Sequence, residues 1–148
     1  MNDNMIRVGL FSPGDASDLF HFGKIPNDIH CFMKLIGCDL FDIVYRTISG
    51  VPFCIVCDDL GRVQGKEISA ILNNGQPDIF GNMIICHIND YGDMTSISEE
   101  DAKLIVKNIT RAKIKRSGSE SQVNVLRFDV LDDVGSDPTD DILSFFAI

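Results

Sequence analysis

Basic residues are scarce in this chain. Its 148 residues hold 13 Lys and Arg against 22 Asp and Glu, a formal charge of −9. A protein that coats duplex phosphate needs a basic footprint, and the average here has the opposite sign. The start, Met1-Asn2-Asp3-Asn4, carries neither a basic stretch nor a long apolar one, so a secretory leader is not expected. No apolar run approaches the roughly 18 residues of a membrane-spanning helix, and no membrane partner is expected. The sequence has no phosphate loop, dinucleotide glycine fingerprint, nucleophile elbow, Ser-His-Asp signature or internal repeat. It therefore offers no motif for the common enzyme classes, and no cofactor or metal is expected.

What is present is ordinary for a globular chain. Hydrophobic residues make up 45% and charged residues 24%, enough for one small domain with a core. Cysteine is odd in number (Cys31, Cys38, Cys54, Cys57 and Cys86), which without an export signal favours reduced thiols in a cytoplasm.

Strand-forming runs alternate irregularly with amphipathic ones. MIRVGLF at residues 5–11 predicts a strand, stopped by Ser12-Pro13-Gly14-Asp15. Asn27 reads as the N-cap of a short helix ended by Gly37, with Ile29, Phe32, Met33 and Ile36 on one face. Residues 39–48 and FCIVC at 53–57 predict a hairpin across Ser49-Gly50-Val51-Pro52. Residues 66–72 read as a short helix, and NMIICHI at 82–88 as a strand. Ser98-Glu99-Glu100-Asp101 starts a helix whose stripe, Ala102, Ile105, Val106 and Ile109, carries it to about Lys113. The fold expected is α+β, with a mainly antiparallel sheet and two or three helices over residues 1–113. Residues 114–122 read as a linker. Residues 123–148 read as a strand followed by an acidic, hydrophobic-ended tail.

Taken in order, these features resemble the DUF 3846 family of bacteria, phages and plasmids over residues 5 to about 112. The likeness rests on Phe32-Met33-Lys34-Leu35-Ile36-Gly37-Cys38, on Ile43-Val44-Tyr45, and on the stretch from Cys57-Asp58-Asp59-Leu60-Gly61-Arg62 to Gly65. It continues through Pro77-Asp78-Ile79-Phe80-Gly81-Asn82 to the acid-capped helix after Ser98. Where the family often has an Asn-Arg pair, this chain has Ser69-Ala70, so no role of that pair carries over. The resemblance implies a phage or mobile-element setting and a bacterial cytoplasm, and brings no activity with it.

Three constellations could carry chemistry. Cys54-x-x-Cys57 has the spacing of a metal or redox pair, but residues three apart on a strand face opposite sides, which favours two buried structural thiols. Cys86-His87 with Asp90 and Asp93 could gather a cation, yet Asn-Asp-Tyr-Gly-Asp is ordinary turn chemistry. His30 falls between the apolar positions of its helix and reads as a boundary residue. The polar residues near the 58–66 loop and the 77–82 turn, namely Asp58, Asp59, Arg62, Lys66, Asp78 and Asn82, are the candidates for a small-ligand pocket.

Charge is unevenly placed. Residues 102–127 hold seven bases and only Glu120, whereas residues 128–148 hold six acids and no base. Nucleic acid is expected only through residues 102–127. The basic residues Lys103, Lys107 and Arg111, with the terminal Ile142, Leu143, Phe145 and Phe146, are the candidate partner-binding residues. The expected function is that of a small non-catalytic accessory protein acting on a host or self protein, with self-association left open. The alternative is a module that binds a small ligand such as a nucleotide, and behind it a metal-assisted hydrolase using His87, Asp90 and Asp93.

Overall fold

The computed structural model describes residues 4–14, 19–116 and 118–130. Among the described residues, ten strands and two helices follow one another. They are β1 (Met5–Phe11), β2 (Phe20–Pro26), α1 (Ile29–Ile36), β3 (Phe41–Ile48), β4 (Val51–Asp58) and β5 (Ile68–Leu72). After these come β6 (Pro77–Phe80), β7 (Met83–Ile88), β8 (Met94–Thr95), α2 (Glu99–Lys107), β9 (Ile109–Arg116) and β10 (Ser119–Phe128).

One sheet has the order β2-β1-β7-β4-β3, with β8 also paired to β7, and all its pairings are antiparallel. The second has the order β6-β5-β10-β9, in which only β5 and β10 run parallel. The architecture is α+β and mostly antiparallel sheet, with strands outweighing the two helices.

Alternation along the strands of the first sheet sorts its side chains between two faces. Val8, Cys54, Val56, Ile84 and Cys86 face α1, where they pack on Phe32 and Ile36. Phe11, Phe53, Ile55, Met83 and Ile85 face the second sheet and meet Ala70, Ile79, Leu126 and Phe128, together with Ile105 of α2. Cys54 and Cys57 thus lie in different clusters, as strand alternation requires.

The helix ends follow local chemistry. Asp28, one residue later than the expected Asn27, caps α1 by accepting from the His30 N–H, and Gly37 closes it at φ +78°. Ser98 and Asp101 form a reciprocal capping box on α2. The tight β3–β4 turn uses only Ser49 and Gly50, at φ +46° and +85°, so Val51 and Pro52 already belong to β4.

Three expectations are corrected. Residues 66–72 are not helical. Ile68–Leu72 is a strand because it pairs on both sides, with β6 and β10, and buries Ser69 and Ala70 completely. The second helix stops at Lys107, six residues before the expected Lys113, since Asn108 turns its Nδ2 back to the Leu104 carbonyl at 2.9 Å. Beyond it, Ala112 and Ile114 alternate with Arg111 and Lys113, and that period of two is a strand pattern. Residues 114–122, expected as a linker, fall across the β9–β10 hairpin.

Leu126 is fully buried and central to the core between the sheets. Leu126→Ala is expected to lose about 2–5 kcal/mol in urea unfolding, as other buried Leu truncations do. A loss under about 1 kcal/mol would show that β10 is an appendage.

Candidate functional site

A cleft of about 190 Å³ opens between the edge strands β3 and β6 of the two sheets. It is walled by Asp42, Val44 and Arg46 of β3, by Asp78, Ile79 and Phe80 of β6, and by the end of β4 with the loop that follows it. Alternation puts the three β3 residues on one face, and register sets Asp42 opposite Cys57.

Each charged residue of the cleft has its own anchorage. Arg46 forms a forked pair with Asp78, Nε to Oδ2 at 2.7 Å and Nη2 to Oδ1 at 2.9 Å. Its Nη1 donates to the Tyr45 carbonyl, also at 2.9 Å. The Asp78 hydrogen bonds outweigh burial and raise the Arg46 pKa, so the clamp between the sheets is ionic. Arg62 lies over the Phe80 ring, 5.4 Å from its centroid, in a cation–π contact. Asp58 is buried; its Oδ1 accepts from the Leu60 N–H at 2.9 Å. The Lys66 ammonium sits 2.5 Å from Asp58 Oδ2 but off the hydrogen-bonding direction, so charge rather than a directed bond holds that oxygen. Asp42 Oδ1 accepts from the Ile43 N–H. Among the described residues, Asp42 and Asp59 have no ion-pair partner.

The loop is fixed by close packing. A Cβ on Gly61 would strike the Phe80 carbonyl oxygen, so glycine is needed where the loop lies against β6. Cys57 lines the cleft, but burial first and then the Asp42 charge push its thiol up to about 12, and it stays protonated at neutral pH.

The structure therefore brings Asp58, Asp59, Arg62 and Asp78 to one cleft. It places Lys66 and Asn82 in a neighbouring hollow of about 310 Å³, beside the end of α1. There Lys66 Nζ donates to the Gly37 carbonyl at 3.1 Å and Asn82 Nδ2 to the Leu35 carbonyl at 3.1 Å. Both residues satisfy carbonyls at the end of a helix, which is a packing role. Arg46, Asp42 and Phe80 were missed from the sequence. Their only signal was a shared strand parity, which does not say which face meets the second sheet.

Lys103 and Lys107 are exposed on α2, whereas Arg111 is on β9, so the three share no helix face. Ile142, Leu143, Phe145 and Phe146 lie outside the described residues. The sequence cluster of His87, Asp90 and Asp93 is not assembled. His87 Nε2 meets Asp101 Oδ2 at 2.9 Å, and its ring stacks on Phe53 at 4.9 Å. Asn89 Oδ1 instead closes the turn by accepting from the Tyr91 and Asp93 N–H groups. Among the described residues, no three His, Cys, Asp or Glu side chains are grouped to hold a metal ion.

The family model described as a domain of unknown function, DUF3846, matches residues 6–110. The chain belongs to the DUF3846 family. Neither a curated protein nor a solved structure matches it. Every residue that walls the cleft lies inside the DUF3846 match, which ends two residues into β9. The strand β10, at the centre of its sheet, falls outside the match.

Two outcomes follow from this geometry. Arg46→Leu leaves Asp78 without its fork and is expected to cost about 1–3 kcal/mol in urea unfolding, while Arg46→Lys recovers only part of that loss. An Arg46→Leu protein as stable as the parent would remove the clamp from the account. For Asp101, burial raises the carboxyl pKa, but the Ser98 N–H, His87 and Ser98 hydroxyl bonds outweigh it and hold the group below the usual range. A depressed folded pKa gives stability that is present above the unfolded value, roughly 3.9, and lost as pH falls through the folded one. Asp101→Asn is thus expected to cost about 1 kcal/mol near neutral pH, with the gap to the parent closing in thermal melts as pH falls through the depressed folded value of Asp101. A gap independent of pH would assign the effect to packing.

Proposed function

We propose that this DUF3846 protein is a non-catalytic binding protein that docks on a partner protein by taking one of its basic side chains into the cleft between β3 and β6. The observation that carries this reading is the charge arrangement of the walls. Four carboxylates face two guanidinium groups, Arg46 is committed to Asp78 and the Tyr45 carbonyl, and Asp42 and Asp59 have no ion-pair partner among the described residues. A guanidinium or ammonium entering beside them gains charge-assisted hydrogen bonds.

Size and sign both favour a side chain over a nucleotide. The cleft, at about 190 Å³, is smaller than the roughly 300–1,000 Å³ of usual small-molecule sites. A phosphate would also meet a wall with an excess of acid. The rim suits a protein partner, because Leu40, Leu60 and Val63 are exposed and the Leu40 carbonyl holds the loop through the Asp59 N–H. Strand addition at β3 is a weaker route to docking. Asp42 caps the Ile43 N–H, Arg46 caps the Tyr45 carbonyl, and the Asp129 N–H takes the Thr47 carbonyl, which blunts that edge. The protonated Cys57 thiol is no nucleophile, in keeping with binding rather than covalent chemistry. The phage or mobile-element setting and a host or self partner in a bacterial cytoplasm belong to the same proposal and rest on the family resemblance.

An NMR titration of the labelled full chain tests it, with acetyl-Gly-Arg-Gly-amide, its Lys counterpart and its Glu counterpart. The Arg and Lys peptides are expected to shift amides at residues 42–46, 58–62 and 78–80, and the Glu peptide to shift none. Asp42→Asn with Asp59→Asn should weaken binding at least about fivefold without lowering the melting temperature. Shifts elsewhere, or equal response to all three peptides, would overturn the reading.

A further inference from the structure

The second surface with a distinct chemistry is on α2, remote in sequence from the cleft. Ala102, Lys103, Val106 and Lys107 share one face of the helix, at positions three and four apart, around an open hollow of about 370 Å³. Val106 is 51% exposed, and Lys103 and Lys107 form a basic row beside the apolar row of Ala102 and Val106. An apolar row alongside a row of two ammonium groups asks for a ligand that joins hydrophobes to acids.

We propose that the occupant is the C-terminal segment of this same chain, with Asp140 and Asp141 on the Lys103 and Lys107 pair and Ile142, Leu143, Phe145 and Phe146 over Val106. Composition is the first argument. Residues 128–148 hold six acids and no base, and the acids at 140 and 141 directly precede the four hydrophobes. Position is the second. The Arg127 N–H donates to the carbonyl of Asn108 at 2.9 Å, and Asn108 caps the end of α2. The chain therefore passes the last turn of that helix three residues before Val130, the last described residue. Length is the third. Asp140 lies ten positions after Val130, with nine residues between them, a reach of up to about 33 Å. The nine-residue helix is only about 13 Å long. A tether this short keeps the segment at roughly millimolar effective concentration, which favours the same chain over a second copy.

Chymotrypsin cleavage of the full chain at Leu143, Phe145 and Phe146, followed by mass spectrometry, reads the docking directly. Lys103→Glu with Lys107→Glu is expected to raise the cleavage rate about tenfold, and Val106→Ser to raise it in the same direction. All three positions are exposed, so the fold is expected to survive, with an unchanged melting temperature as the control. Adding Asp140→Lys and Asp141→Lys to the lysine double variant should restore protection, an outcome that a merely loosened helix would not give. Equal cleavage in parent and variants, or a rise without this rescue, would overturn the proposal. Protection that fades on about hundredfold dilution would assign the hollow to the tail of a second copy and overturn docking within one chain.

Discussion

The C-terminal end of β10 is the constraint on which the two sheets depend. Leu126 and Phe128 are fully buried in the core between them, while the same residues pair in parallel with Ala70 and Leu72. The Phe128 carbonyl then takes the Asn73 N–H, and the Asp129 N–H takes the Thr47 carbonyl. Asp129 also accepts from the Ser49 and Gly50 N–H groups at the tip of the β3–β4 hairpin. One short segment thus supplies hydrophobic mass, a central strand for one sheet and a cap for the hairpin of the other. Burying two such side chains is worth about 3–6 kcal/mol before entropy, a large part of the margin of a small domain.

The cleft is a consequence of that seating. Because β10 fixes β5, and β5 fixes β6, Asp78 arrives opposite Arg46 of the other sheet. The forked ion pair then closes the cleft floor, and Gly61 lets the loop lie against Phe80 to close its side. Charge is conserved in the local sense that the buried carboxylates have cations, Arg46 for Asp78 and Lys66 for Asp58, while the carboxylates left over face the opening. The site is therefore built by two sheets meeting at their edges, and neither sheet alone would hold it.

Much of the fold was legible locally. The strands at 5–11 and 83–88, the 41–58 hairpin, and the Gly37 and Ser98 helix ends all follow from hydrophobic period and capping chemistry. The misreadings share a cause. Residues 66–72 and 109–116 are short, mixed segments whose state is decided by what pairs with them, and propensity is weak against two flanking strands. The polar hairpin at 114–122 looked like a linker because its composition is charged and serine-rich, yet the backbone of β9 pairs with β10 along it. Half of the cleft was visible as loop acids and Arg62. The other half, Asp42 and Arg46, was hidden because a charged residue on a strand reads as solvated until a second sheet covers that face.

The sequence by itself determined the family, the α+β character, the opposed faces of Cys54 and Cys57, and the reversal of charge between residues 102–127 and 128–148. These are properties of order and period along one chain. Only the tertiary structure decided that Arg46 pairs with Asp78, that Lys66 and Asn82 serve the end of α1, and that His87 belongs to Asp101. Those are choices among partners far apart in sequence. They are settled by which faces the β10 strand brings together, and no local pattern records them.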